Sequence, residues 1–143
     1  MTSTIYNAIE AVAQKRKISF TTLNFEESRK IHREVTFKFA DSVYEQDWLW
    51  EYLNDSLAIQ NPSAWRWISE FNTTDPIILF FNPSDEKSAF EFPDIHNIID
   101  ILKDTFGFEF YLCNKNLDYL LCFNHHDFLI ACGTAKSWLQ SKL

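Results

Sequence analysis

Three apolar runs crowd the C-terminal third of the chain: Phe108–Cys113, Tyr119–Phe123 and Phe128–Cys132. Only Asn114–Asp118 and Asn124–Asp127 separate them. A parallel crossover needs about a dozen residues or more, so these runs, read as strands, must be antiparallel neighbours. Opposing Phe123 to Phe128 pairs Leu121 with Ile130, Tyr119 with Cys132 and Cys122 with Leu129. Cys122 and Cys132 are then not direct partners.

The rest of the chain has to be built onto that meander. Pro76 opens IILFF (Ile77–Phe81), apolar on both faces like a central strand. Ala89–Phe92 reads as a short partner with Phe90 and Phe92 inward. Val35, Phe37 and Phe39 alternate with Thr36 and Lys38, the pattern of a half-buried strand. Helical spacing runs through Ile5, Ala8, Ile9, Val12 and Ala13, with Ser3 or Thr4 as cap, and a charged helix is expected over 25–33. Further helices are expected from Asp41 or Ser42 through Leu53, from Asn61-Pro62-Ser63 to Phe71, and from Thr134 to Gln140. The best-patterned helix follows Pro93 and Asp94. It carries Ile95, Ile98, Ile99, Leu102 and Phe106 on one stripe, with Gly107 placed as a left-handed C-cap. Strands and helices do not alternate. The expected class is α+β: a mixed or mostly antiparallel sheet of about five or six strands with helices packed on it, in one domain over 1–143.

Composition narrows function. The two glycines cannot supply a P-loop or a GxGxxG turn. No apolar run approaches the length of a membrane span, and the N-terminus lacks the basic-then-apolar order of a signal peptide. Cys113, Cys122 and Cys132 lie in apolar surroundings, so reduced, buried thiols and a cytoplasmic address are expected. Residues 1–40 carry a net +3 and the remainder a net −10, within a total of −7. Such a body repels phosphate backbones, so neither nucleic acid nor a membrane is an expected partner, and a basic protein is.

Two clusters are candidates for function. The turn Asn124-His125-His126-Asp127 brings two imidazoles together, but adjacent residues usually point apart and metal-binding pairs use wider spacing. No serine sits in a GxSxG setting, and Cys132 before Gly133 has apolar flanks. Neither a metal ion nor a cofactor is expected. The turn reads as structural or partner-facing, with an acid/base or metal-dependent enzyme built on it as the alternative. The second cluster is DWLWEYLND and AWRWISEF, each with a WxW. On a helix, residues two apart diverge by about 200°, so one tryptophan of each pair, Trp48 or Trp50 and Trp65 or Trp67, is expected near the surface. Asp47, Glu51 and Asp55 would form an acidic ridge at four-residue spacing. Tryptophans among acids suit a hot spot for a basic partner.

The tail FEFYLCNKNLDYLLCFNHHDFLIACGTAKSWL resembles the C-terminal part of small bacterial immunity proteins encoded beside polymorphic or contact-dependent toxins. The resemblance covers about the last 35 residues, with an aromatic-rich strand, a short polar turn, another strand and an NHHD-like turn. It implies a non-enzymatic cytosolic protein that binds and neutralises one cognate toxin domain, and it carries over no catalytic residues.

Overall fold

The computed structural model describes residues 4–40, 47–105 and 107–143. A seven-stranded sheet, antiparallel at every pairing, spans the molecule and has helices on both faces. In chain order the elements are α1 (Thr4–Arg16), β1 (Thr21–Thr22), α2 (Phe25–Phe39), a 3₁₀ turn (Leu49–Tyr52), β2 (Leu57–Gln60), a 3₁₀ helix (Ala64–Glu70), β3 (Ile77–Phe80), β4 (Phe90–Phe92), α3 (Ile95–Asp104), β5 (Phe110–Cys113), β6 (Tyr119–Phe123), β7 (Phe128–Gly133) and α4 (Ala135–Gln140). The strand order is β1-β4-β3-β5-β6-β7-β2. The class is α+β, with a larger sheet than expected. Two strands had not been anticipated. Both lie at sheet edges, where Thr21–Thr22 and Leu57–Gln60 are too short to show a clear period.

Two-residue alternation sends the central strands into two cores. Ile77 and Leu79 of β3, Leu112 of β5 and Leu121 of β6 face α1, α3, α4 and the 3₁₀ helix. Ile78 and Phe80, Tyr111 and Cys113, and Leu120 and Cys122 face α2 and the Leu49–Tyr52 turn. Burial on both sides explains why these strands read as unbroken apolar runs. Arg16 at the end of α1 bonds Asp104 at the end of α3 at 2.7 Å, tying two helices of the first face together.

Several expected elements are corrected. Val35–Phe39 is no strand; it is the last turn and more of α2. Ser28, His32, Val35, Thr36 and Phe39 are buried on one helical stripe, while Phe37 is 75% exposed. Asn24 and Glu27 form a capping box that starts this helix, and the 3/4 spacing continues past residue 33. The helix expected through Leu53 is instead one 3₁₀ turn entered from Trp48 in left-handed backbone (φ 54). The cap expected at Asp41 or Ser42 lies outside the described residues, as do Ser3 and Phe106. With the helix goes the acidic ridge: Asp47 precedes the turn and Asp55 follows it at φ 49, so the three acids share no helical face. The segment expected as a helix to Phe71 is 3₁₀ over Ala64–Glu70. The cap of α3 is Asp94, accepting from the His96 N–H, with Pro93 just outside. The helix ends on extended Thr105, and Gly107 has no left-handed role.

The β6–β7 register also differs by one residue. Phe123 opposes Leu129, Leu121 opposes Ala131 and Tyr119 opposes Gly133. The cause is the turn. The Asp127 N–H donates to the Asn124 carbonyl, Asp127 then turns left-handed (φ 63), and the Asn124 N–H closes onto Phe128 O at 3.1 Å. This is a three-residue loop with a left-handed last residue, which lengthens the ladder by one pair. The slip places Cys122 and Cys132 on one face as diagonal neighbours, both still free thiols.

Candidate functional site

Asn82 follows β3, Glu109 precedes β5, and Asn124 follows β6. Phe80 opposes Tyr111 and Phe110 opposes Phe123, so two further steps along the first ladder and one along the second align Asn82, Glu109 and Asn124 across one end of the sheet. All three are buried although polar. A buried polar group needs partners: Asn82 and Glu109 bond each other, and Asn124 accepts from the backbone of the turn that follows it.

Glu109 is the hub. Its Oε1 accepts from Asn82 Nδ2 at 2.8 Å and from Trp50 Nε1 at 3.3 Å. Its Oε2 accepts from the His125 backbone N–H at 2.8 Å and also engages His125 Nδ1. Burial alone would raise the Glu109 pKa, but the donors from His125, Asn82 and Trp50 outweigh it and hold the carboxyl below its ordinary value. Being ionised, Glu109 only accepts, so Nδ1 of His125 carries a proton and Nε2 is the nitrogen left for outside chemistry. Asn82 is fully buried, and its Oδ1 accepts from Tyr111 Oη and from the Trp48 backbone N–H, both at 2.9 Å. The Trp50 N–H in turn donates to Tyr111 Oη at 3.3 Å. Burial, first among the causes, drives the Tyr111 phenol far above its ordinary value, so the hydroxyl stays neutral and donates.

This network fixes the rim above it. Trp48 is 51% exposed in left-handed backbone, a conformation that costs a non-glycine residue about 1–3 kcal/mol. The Asn82 amide holds it there. Asp47 accepts from the Ser84 N–H at 2.9 Å, and Asp85 accepts from Asn82 Nδ2 at 3.3 Å, so carboxylates flank the exposed indole along with Glu51. The Trp50 ring meets both His125 and His126 edge-on at 5.8 Å, and the two imidazoles lie 4.0 Å apart. Asn124 Oδ1 accepts from the His126 and Phe128 N–H groups, each at 3.0 Å, fixing the turn. On the other side of the tip a cleft of about 450 Å³ runs past Trp65, Phe108, Glu109, His125 and Asp127. Arg66 lies over the Trp65 ring at 5.0 Å.

Six of the nine residues singled out in the sequence therefore gather at one end of the sheet or line its cleft: Asp47, Trp48, Trp50, Trp65, His125 and His126. Glu51 is exposed on the same 3₁₀ turn. Asp55 lies elsewhere, paired with Lys136 of α4 at 2.5 Å. Trp67 is half-buried against the core that faces α1 and α3. Sequence reasoning missed Asn82, Glu109 and Tyr111, the groups that hold the site together. One signal was visible: Glu109 is an acid between Phe108 and Phe110 in an otherwise apolar run. Among the described residues no three or more His, Cys, Asp or Glu side chains are grouped to hold a metal ion, and His125 Nδ1 is already engaged by Glu109.

A family model described as a family of unknown function, DUF6756, matches residues 1–142. The chain belongs to the DUF6756 family. No curated protein and no solved structure gives a significant match to it. The DUF6756 match spans both cores and the whole site, including the first hundred residues that the C-terminal resemblance does not reach. Among the described residues no helix is long and apolar enough to cross a membrane.

Proposed function

We propose that this chain is a non-enzymatic, cytoplasmic immunity protein that binds and neutralises a cognate toxin domain. The observation that carries this reading is Trp48, a large exposed indole held in strained backbone by a fully buried amide. Strain of this kind persists where the surroundings over-determine it, and such positions concentrate at functional sites. Holding the ring beforehand lowers the ordering cost of association. Trp48, Trp50 and the paired imidazoles supply the aromatic centre of a hot spot, and Asp47, Glu51 and Asp85 supply an acidic surround that attracts a basic partner such as a nuclease. The immunity-like C-terminal tail contains the histidine turn of this surface.

The test is a binding and inhibition assay against the variable C-terminal domain of a secreted protein encoded beside this chain. Trp48→Ala is expected to weaken binding by about 30-fold or more, as hot-spot residues do, without changing the melting temperature. Glu51→Lys is expected to slow association and flatten its salt dependence. Full inhibition by Trp48→Ala would remove this surface from the mechanism, and failure of every neighbouring toxin domain to bind would remove the reading itself.

The Glu109–His125 pair favours a second reading, general acid/base catalysis at the mouth of the cleft. A carboxylate that orients an imidazole leaves Nε2 able to take a proton. Under that reading His125→Asn abolishes a turnover that Trp48→Ala leaves intact; under the first, both variants change affinity only.

A further inference from the structure

At the opposite end of the same strands, the segment before β3 and the β5–β6 turn enclose a recess of about 390 Å³. Its lining is part apolar, with Phe71, and part oxygen-bearing, with Asp75, Asp118, Thr73, Thr74 and Tyr119. Asn114 Nδ2 donates to Oδ2 of both acids, at 3.3 Å to Asp75 and 2.8 Å to Asp118. Asn114 Oδ1 accepts from the Asp118 N–H at 2.9 Å, which fixes the amide's orientation. Two carboxylates thus share a single neutral donor. Among the described residues no Lys, Arg or His lines the recess, and the nearby Lys115 is directed to Glu91 at 3.6 Å.

A second observation points the same way. Tyr119 is 2% exposed, and its hydroxyl has no hydrogen-bond partner among the described residues. The Thr73 side chain lies close enough to act on it, lowering its pKa. Burial first, and then the charges of groups that include Asp75 and Asp118, raise its pKa, which puts the phenol oxygen within the field of both acids. An unsatisfied buried hydroxyl costs about 1–3 kcal/mol and calls for an occupant with a polar shell.

We propose that this recess is a binding site for a hard divalent cation of the calcium type. Asp75 and Asp118 supply the charge, Thr73 and Thr74 supply further oxygens, and the Tyr119 hydroxyl bonds a water of the ion's shell. Calcium takes six to eight oxygens in flexible geometry, whereas magnesium demands a near-ideal octahedron and sheds water reluctantly. Only two carboxylates are present, fewer than a tight centre uses, so the affinity belongs in the weak class of about 10⁻⁴–10⁻³ M.

The experiment uses the full chain stripped with chelator, titrated with calcium and with terbium, whose luminescence is excited through nearby aromatic rings. Saturable calcium binding in that range is expected, with terbium displaced by calcium and a melting temperature raised by several degrees at about 10 mM calcium. Asp75→Asn and Asp118→Asn are each expected to weaken binding about tenfold or more, and Tyr119→Phe several-fold. Asp75 is exposed, so its variant keeps the test valid if Asp118→Asn destabilises the turn. The proposal is overturned by the absence of a saturable calcium response, by an equal response to magnesium, or by binding that survives in the Asp75→Asn, Asp118→Asn double variant.

Discussion

Glu109 brings a charge into a row of the sheet where neighbouring positions are phenylalanine and tyrosine. It is tolerated because four donors surround it, two of them from His125. Hydrogen bonds to a charged group are worth about 1.5–3 kcal/mol each when one partner is removed, so Glu109→Gln should cost about 2 kcal/mol at neutral pH in urea unfolding. The pH dependence has a definite sign. The folded pKa of Glu109 lies below its ordinary value of 4.5, so the stability it contributes is present above pH 4.5. That contribution is lost as pH falls through the lower folded value. The gap between wild type and Glu109→Gln should therefore narrow below pH 4.5 and stay constant from there to neutrality. Tyr111→Phe tests the same network from beneath. It removes the hydroxyl between Asn82 and the Trp50 N–H and should cost about 1–3 kcal/mol, loosening the Trp48 rim as read by tryptophan fluorescence. None of this was legible residue by residue. The sequence shows an isolated acid at 109 and an asparagine after IILFF, but nothing in it aligns the two.

Helix α2 and the hairpin show where element-scale reasoning held and where it slipped. The three-residue alternation at Val35–Phe39 fits a strand, yet it fits the 28, 32, 35, 39 stripe of a helix equally well. The capping box at Asn24 decides, because it starts a helix that nothing stops before residue 39. Exposed Phe37 should then tolerate Phe37→Ser within about 0.5 kcal/mol, whereas Val35→Ala, fully buried, should cost about 1–3 kcal/mol by thermal unfolding. A strand would have made both costly. The two glycines divide in the same way. Gly133 sits at φ 64, and a Cβ there would meet the Asp118 carbonyl oxygen at 2.3 Å, so Gly133→Ala strains the β7 end and should destabilise by more than about 2 kcal/mol. Gly107 has open space around it and no left-handed backbone, so Gly107→Ala should be neutral or stabilising by up to about 1 kcal/mol. The hairpin register slipped because the Asn124–Asp127 turn resembles a four-residue loop in sequence. Its left-handed Asp127 makes it a three-residue loop, a difference carried by one dihedral angle.

For the molecule as a whole, the sheet divides the chain into two cores, and all three thiols fall in the one beneath α2. Burial raises each thiol, Cys132 to about 11, Cys113 further still, and Cys122 well above its ordinary value. A thiolate is the reactive form, so an aromatic disulfide reagent at pH 8 should label none of them in the native state, and all three on global unfolding. Labelling that outpaces unfolding would show a core more open than this packing implies. What the sequence by itself determined is the set of features written in local pattern. These are the antiparallel tail, the doubly buried β3, the stripe of α3, the α+β class and the nomination of the tryptophan and histidine stretches. Each follows from spacing along the chain, because short connections and two- or four-residue periods constrain geometry directly. Only the tertiary structure decided that His125, Trp50 and Trp48 share one buried foundation, that Asp55 stands apart from them, and that Asp75 meets Asp118. Those pairings join residues dozens of positions apart, and their proximity is set by strand order and register, which no local period records.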